Sequence, residues 1–176
     1  MIDLNKLRFK KAVELAEVQK GERVLDLGSR NAILLNFLPN CNYIGLDIEP
    51  TNENVIKTDL ENGLPLEIKE KKFDVIFILE VIEHIENFKS LLIECREILS
   101  ENGRIIITTP TNHRFLIKDD KDHIHCFRRT NLYNLVNACK LRIEKLKGIY
   151  VIIPRIISFA FPFTFYNESW LIKIIK

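Results

Sequence analysis

An apolar run, Val24-Leu25-Asp26-Leu27, stops against Gly28, and a second run, Tyr43-Ile44-Gly45-Leu46, stops at Asp47. Few folds tolerate that arrangement. A buried strand ends in an acid, turns at glycine, and is answered about 20 residues later by another acid at the end of a second strand. In a doubly wound α/β sheet both acids sit at the carboxyl ends of parallel strands, where the later one can reach the hydroxyls of a nucleoside ribose. A dinucleotide fold would also need G-x-G-x-x-G to bring backbone against a pyrophosphate. Here only Gly28 is present, and Arg30 and Ala32 stand where further glycines are expected. The pattern therefore points to an adenosine-like ligand without a pyrophosphate and argues against a nicotinamide dehydrogenase.

The rest of the chain fits one such layer. Its 176 residues are 47% hydrophobic, enough for a single domain over 1–176, with an N-terminal helix within 1–20 and an apolar connection over 151–168. Net charge is +2 with 28% charged residues, which gives no strong field toward nucleic acid. The basic clusters at Lys69–Lys72 and Arg128-Arg129 are short and read as solvated surface. Cys41, Cys95, Cys126 and Cys139 form no C-x-x-C pair, and no apolar leader is visible. Reduced thiols and a cytoplasmic location are the expectation.

Periodicity predicts a helix over Leu4–Lys20, ended at Gly21, and strands over Arg23–Leu27, Asn42–Leu46 and, weakly, Asn54–Lys57. Between the first two strands it predicts a short helix over Asn31–Leu38, stopped by Pro39. Phe73–Leu79 reads as a strand covered on both faces. Asn87–Ser100 has helical spacing, Asn102-Gly103 turns, and Arg104–Thr109 is again a buried strand. A long polar connection, Thr111–Thr130, precedes a helix over Asn131–Cys139 that Thr130 could cap. Leu141–Ile153 is apolar and β-branched, and Glu168–Lys176 reads as a last strand. Alternating strands and helices imply parallel βαβ units.

Several side chains carry chemistry. Asp47, acceptor-only when ionised, can take both vicinal ribose hydroxyls, or it is a turn aspartate. Gly28 and Ser29 let backbone approach a ligand closely. Asp26 orients that loop or caps the following helix. Leu79, Glu80, Glu83 and His84 follow the fourth strand and fall on the ligand edge of the sheet. His84 has the acidity for a general base, with a structural loop role as the alternative. Asp119, Asp120, Asp122, His123 and His125 offer ligand types for a divalent metal or form a solvated acidic loop. His123 and His125 also stand as acceptor-facing candidates, with His113 a weaker one. Ile149–Phe165 is rich in Phe but interrupted by Pro154, Arg155 and Pro162, too broken for a membrane span. Its later part could line an acceptor pocket, pack in a homodimer, touch a membrane surface, or simply cover the core.

Taken in order, these segments resemble the class I S-adenosylmethionine-dependent methyltransferases, particularly those acting on small molecules, glycans and quinones. VLDLGSR resembles the first motif, YIGLDIEP the second and KTDLENGLPL the third. FDVIFILEVIEHIEN is similar to the fourth strand with its Glu-His pair, and LLIECREILSENGRIIITTPTN to the next helix and fifth strand. HIHCFRRTNLYNLVNACKLRIEKL resembles the later helix and sixth strand. The matches run over residues 20–150.

The resemblance implies a Rossmann-like, seven-stranded, mostly parallel sheet with an antiparallel last strand, and S-adenosyl-L-methionine as cofactor. It assigns the cofactor's methionine part to the loop of Gly28, Ser29 and Arg30, with Arg30 serving through its backbone or pairing with the cofactor carboxylate. It also has Asp26 orient the loop or meet the cofactor amine through water, and puts Ile48 beside the adenine, Asp59 on the adenine amino group, and Leu60 offering its amide to the ring. No metal is implied. The expected activity is methyl transfer to a small acceptor, foremost O-methylation of a sugar, glycan or lipid-linked metabolite. The alternative is a cofactor-binding scaffold that stabilises a partner.

Overall fold

The central sheet is built from the predicted strands and from one much longer ribbon. In the computed structural model, which describes residues 4–111, 123–154 and 163–176, seven strands are joined in the order β3-β2-β1-β4-β5-β7-β6. They are β1 (Arg23–Leu27), β2 (Asn42–Asp47), β3 (Val55–Lys57), β4 (Phe73–Leu79), β5 (Leu99–Pro110), β6 (Arg142–Pro154) and β7 (Phe163–Ile175). The pairings among β1 to β5 are parallel, whereas β7 runs antiparallel to both β5 and β6. The antiparallel last strand that the resemblance implied is therefore present. Its helices are α1 (Leu4–Ala16), α2 (Leu66–Lys69), α3 (Phe88–Ile98) and α4 (Arg129–Ala138).

Both faces are buried, as the unbroken apolar run of β4 requires. Ile76 and Ile78 join Leu25, Leu27 and Ile105 against Leu91, Leu92 and Cys95 of α3 and Val136 of α4. Val75 and Phe77 face the other way, onto Ala12, Leu15 and Ala16 of α1. Alternation along one strand thus feeds two separate cores. All four cysteines are free, with Cys95 and Cys139 inside this packing.

Several boundaries depart from the sequence reading. Helix α3 ends at Ile98 and β5 already begins at Leu99, so the Asn102-Gly103 pair expected to turn lies within the strand's range. Helix α1 stops at Ala16 rather than Lys20, because Glu17 adopts a left-handed φ of 56° and Arg104 takes over the helix end. The Arg104 guanidinium donates to the carbonyls of Ala16 and Glu17 and pairs with Glu22 at 2.8 Å. The expected helix over Asn31–Leu38 is only a 3₁₀ turn, Ile33–Phe37, entered through left-handed Ala32. It is too short to present an array of helix amides to a ligand. Helix α4 begins two residues early and its start is not capped by a side chain, so Thr130 is not its cap. Finally, β7 begins at Phe163, so that part of the supposed apolar connection is strand. Past the last β5 pair, Pro110↔Ser169, the β6–β7 ladder continues from Tyr150↔Asn167 to Pro154↔Phe163, beyond the carboxyl edge of the sheet.

Candidate active site at the carboxyl edge

The loop after β1 answers the question of the missing glycines. Gly28 has φ 76°, and a Cβ there would collide with Val81 Cγ2. Arg30 (φ 41°) and Ala32 (φ 54°) occupy the left-handed region without being glycine. The glycine-type conformation is kept although the residues are not glycine, at some backbone cost. Hydrogen bonds to the end of β2 hold it. The amides of Gly28 and Ser29 donate to the Leu46 carbonyl at 2.8 and 3.1 Å. The Arg30 amide donates to Asp47 Oδ2 at 2.9 Å. Ser29 Oγ lies so close to Gly45 that any side chain at position 45 would displace it. The Arg30 amide is thus turned onto Asp47, while its side chain is exposed.

Asp47 is the hinge of this arrangement. Its Oδ1 accepts the Glu49 amide at 2.8 Å while Oδ2 holds Arg30. Each oxygen retains a second lone pair for a hydroxyl. Asp26 is different. It is 4% exposed, accepts from Tyr43 Oη at 2.7 Å, and is not among the residues lining the cavities described next. Burial, together with the charge of Asp47, pushes its carboxyl up to about 7 against the hydrogen bond from Tyr43. It is held by the Tyr43 hydroxyl, and the 3₁₀ turn that follows has no side-chain cap.

Two cavities open along this edge. One, of about 360 Å³, is lined by Gly28, Asp47, Ile48, Asp59, Leu60 and Val81 among others. Ile48 is 57% exposed, an apolar side chain presented to open space. Asp59 caps the 3₁₀ turn Leu60–Asn62 through the Glu61 amide at 3.0 Å and also accepts from Asn62 Nδ2. The second cavity, of about 640 Å³, takes Ser29, Arg30, Leu79, Glu83, Thr111 and His123 into its lining. Gly28, Glu80 and His84 line both, so the two meet there. A larger hollow of about 890 Å³ lies at the amino ends of β1, β2 and β4, lined by Arg23, Tyr43 and Phe73. It contains none of the predicted site residues.

The cavity of about 640 Å³ also contains residues the sequence reading missed. Asn5, Arg8 and Phe9 reach it from α1, and Ser169 from β7. Glu80, left-handed at φ 57°, lies 3.7 Å from Arg8 Nε and 3.4 Å from Ser169 Oγ through its Oε2. No local pattern could have announced these residues, because α1 and β7 come to the site only through long-range docking.

Glu83 is 1% exposed and sits between the loops. Its Oε2 accepts from Thr109 Oγ1 at 3.1 Å, and its backbone carbonyl accepts the amides of Ile124 and His125. Burial and the neighbouring Glu80 carboxylate push it up to about 8. The rings of His84 and His123 lie 4.7 Å apart. One ligand-type atom each from Glu83, His84 and His123 lies within 4.8 Å of the others, an arrangement that could admit a cation. His125 is placed elsewhere. Its Nε2 lies 3.3 Å from the Glu86 carbonyl and its ring packs edge-on against Phe88, outside both cavity linings. Its ring is held by the Glu86 carbonyl and by packing against Phe88. His113, Asp119, Asp120 and Asp122 lie outside the described residues.

Comparison with known proteins agrees with this layout. The profile of a family described as a methyltransferase domain matches residues 5–146. A ubiquinone biosynthesis O-methyltransferase of Haemophilus ducreyi is 27% identical over 124 residues, covering 60% of this chain and 52% of that protein. One from Pasteurella multocida is 28% identical over 129 residues, covering 60% and 53%. The chain thus spans about half the length of the curated relatives it matches. Among solved structures, a SAM-dependent methyltransferase from Archaeoglobus fulgidus superposes with TM-score 0.71 at 19% identity, covering 99% of this chain and 94% of that one. At that identity the likeness establishes the fold.

Proposed function

The chain belongs to the methyltransferase-domain family, and on that premise we propose that it transfers a methyl group from S-adenosyl-L-methionine to a hydroxyl of a small acceptor. The observation that carries this reading is the junction of the two cavities at Gly28, Glu80 and His84. The smaller cavity, with the Asp47 carboxylate, the exposed Ile48 and the Asp59–Leu60 turn, suits an adenosine. Gly28, Ser29 and Arg30 would offer backbone to the methionine part, and Arg8, in the lining of the adjoining cavity, would be available to its carboxylate. When bound, the cofactor supplies an activated methyl on a sulfonium. The protein's own work is positioning and the exclusion of water.

On the acceptor side, Thr111 and Ser169 offer hydroxyls and His84 stands at the junction. His84 would take the proton of the acceptor's hydroxyl, and His123 lines the same cavity. The names of the relatives support a small quinone-type acceptor over the sugar or glycan expected above. The β6–β7 ladder that overreaches the sheet beside Ser169 is the part of the chain that would meet a membrane surface or a second copy. Among the described residues no helix is long and apolar enough to cross a membrane.

Calorimetry with S-adenosylmethionine, followed by assay of S-adenosylhomocysteine release over a panel of catechol, hydroxyquinone and sugar acceptors, tests the proposal. Micromolar binding and turnover on a hydroxylated ring are expected. Tight binding with no transfer to any acceptor would leave the scaffold reading, and no binding would remove both.

A further inference from the structure

We propose that Tyr43 is a positioning residue for the cofactor: its hydroxyl clamps Asp26 and Ser29 and so holds the loop after β1 in its left-handed course, the part that glycines play where such a loop has more of them. The proposal rests on the methyl-transfer reading above and deepens it.

The register of the sheet brings the clamp together. Tyr43 is paired with Val24, and Gly45 with Asp26. Side chains alternate along a strand, so Asp26 lies one step beyond Val24 on the same face. The phenol of Tyr43 spans that step, and its Oη donates to Asp26 Oδ2 at 2.7 Å. Gly45, opposite Asp26, leaves room beside them. A Cβ there would overlap Ser29 Oγ and come within 2.9 Å of Val55 Cγ2. Ser29 fills that room instead. Its hydroxyl stands 3.4 Å from the Leu46 carbonyl and is also a hydrogen-bond partner of the Tyr43 phenol. Both Asp26 and Ser29 are buried. One hydroxyl from β2 thus joins an acid of β1 to the second residue of the loop.

The clamp does not depend on the charge of Asp26. Burial and the adjoining Asp26 push the phenol far above its ordinary value, so it keeps its proton. Asp26 accepts from it whether ionised or neutral, since the carbonyl oxygen of a protonated carboxyl still accepts. The loop has need of such a hold. Arg30 and Ala32 are left-handed without being glycine, a conformation that persists only where its surroundings over-determine it. From the end of β2 the loop is held by the Leu46 carbonyl and by Asp47. Asp47 is also the carboxylate proposed above for the ribose hydroxyls, so its grip on the loop is shared with the ligand. Tyr43 is not shared. It lines neither cavity at the carboxyl edge and stands instead in the wall of the hollow at the amino ends of the strands. It acts on the cofactor through the loop alone, by setting the course of the backbone before the ligand arrives, and such preorganisation appears as affinity.

The test is Tyr43→Phe, which removes the hydroxyl and keeps the ring. In the ligand-free protein, amide hydrogen exchange at Gly28, Ser29 and Arg30 should speed up about tenfold. By calorimetry, the Kd for S-adenosylmethionine should rise about tenfold, the worth of one buried hydrogen bond. Adding Arg30→Gly and Ala32→Gly to Tyr43→Phe should bring the Kd back to within about threefold of wild type, because glycine keeps the left-handed course unaided. A hydroxyl that served only the stability of the fold would show a loss that those glycines leave in place. Unchanged exchange in the loop, an unchanged Kd, or a loss that the glycines do not repair overturns the proposal. Should Tyr43→Phe not fold, Ser29→Ala cuts the clamp at its other end and must speed the same amides, and unchanged exchange there overturns the proposal equally. If the wild type binds no S-adenosylmethionine, the methyl-transfer reading fails, while exchange of the loop amides still decides whether Tyr43 holds the loop.

Discussion

The two cavities at the sheet edge are built in opposite ways. The smaller cavity, proposed above for the adenosine, comes from neighbouring strand ends, and Asp47 in it is met by backbone amides of its own loops, Arg30 and Glu49. The larger of the two, proposed for the acceptor, comes from elements distant in the chain. Its lining gathers Arg8 from α1, Glu83 after β4, His123 after the long connection and Ser169 from β7. The first is a backbone site that tolerates odd side chains, as Arg30 and Ala32 show. The second is a side-chain site, in which a changed side chain alters the chemistry. Mutations on the first side should therefore act on cofactor affinity, and those on the second on turnover.

The largest expected effect breaks the first side. Gly28→Val would drive a branched side chain into Val81 at a left-handed φ, and cofactor affinity should fall more than 100-fold by calorimetry, with a lowered Tm. His84→Ala should lower kcat about 100-fold while leaving the cofactor Kd unchanged. A loss of affinity instead would erase the contrast between the cavities. Asp47→Ala removes the carboxylate proposed to accept the ribose hydroxyls, so affinity should weaken well over tenfold. Unchanged binding would dismiss Asp47 as the ribose acid.

Asp26 gives a smaller effect, visible in stability. Its folded-state carboxyl is raised to about 7 from 3.8, so the folded protein holds a proton that the unfolded chain releases. Stability from this group is full below the unfolded value and is lost as pH rises toward 7. Asp26→Asn should therefore flatten that fall, with a Tm advantage over wild type that grows from pH 5 to pH 8. The smallest effect is at Arg30. Because its backbone is what meets Asp47, Arg30→Gly should leave cofactor affinity within about threefold and relieve a left-handed conformation worth about 1 kcal/mol. A large loss would make the guanidinium a cofactor ligand.

Legibility followed the same division. The β1 and β2 runs, Gly28, Asp47 and the Asp59 turn are local, and the spacing of the acids reports their shared edge. Glu83 and His84 were legible as a loop after a buried strand, but not which of the two would be buried. His125 looked equivalent to His123 two residues away, yet Phe88 and the Glu86 carbonyl draw it out of the cavity. The predicted helix over 31–38 failed because the chain spends left-handed turns at Arg30 and Ala32 on reaching Asp47. The ends of β6 and β7 were blurred because an apolar β-branched stretch reads alike as strand or connection until its partner is known.

The sequence by itself determined the alternation of buried strands and helices, the parallel order from β1 to β5, and the acids at their carboxyl ends. Those features depend on hydrophobic period and on turn residues, which act within a few positions. Only the tertiary structure decided that Arg8 and Ser169 stand beside Glu80, that Glu83 is sealed between two loops, and that His123 rather than His125 faces the cavity. Each of these depends on burial and charge set by residues far along the chain, and no local pattern encodes where such residues will meet.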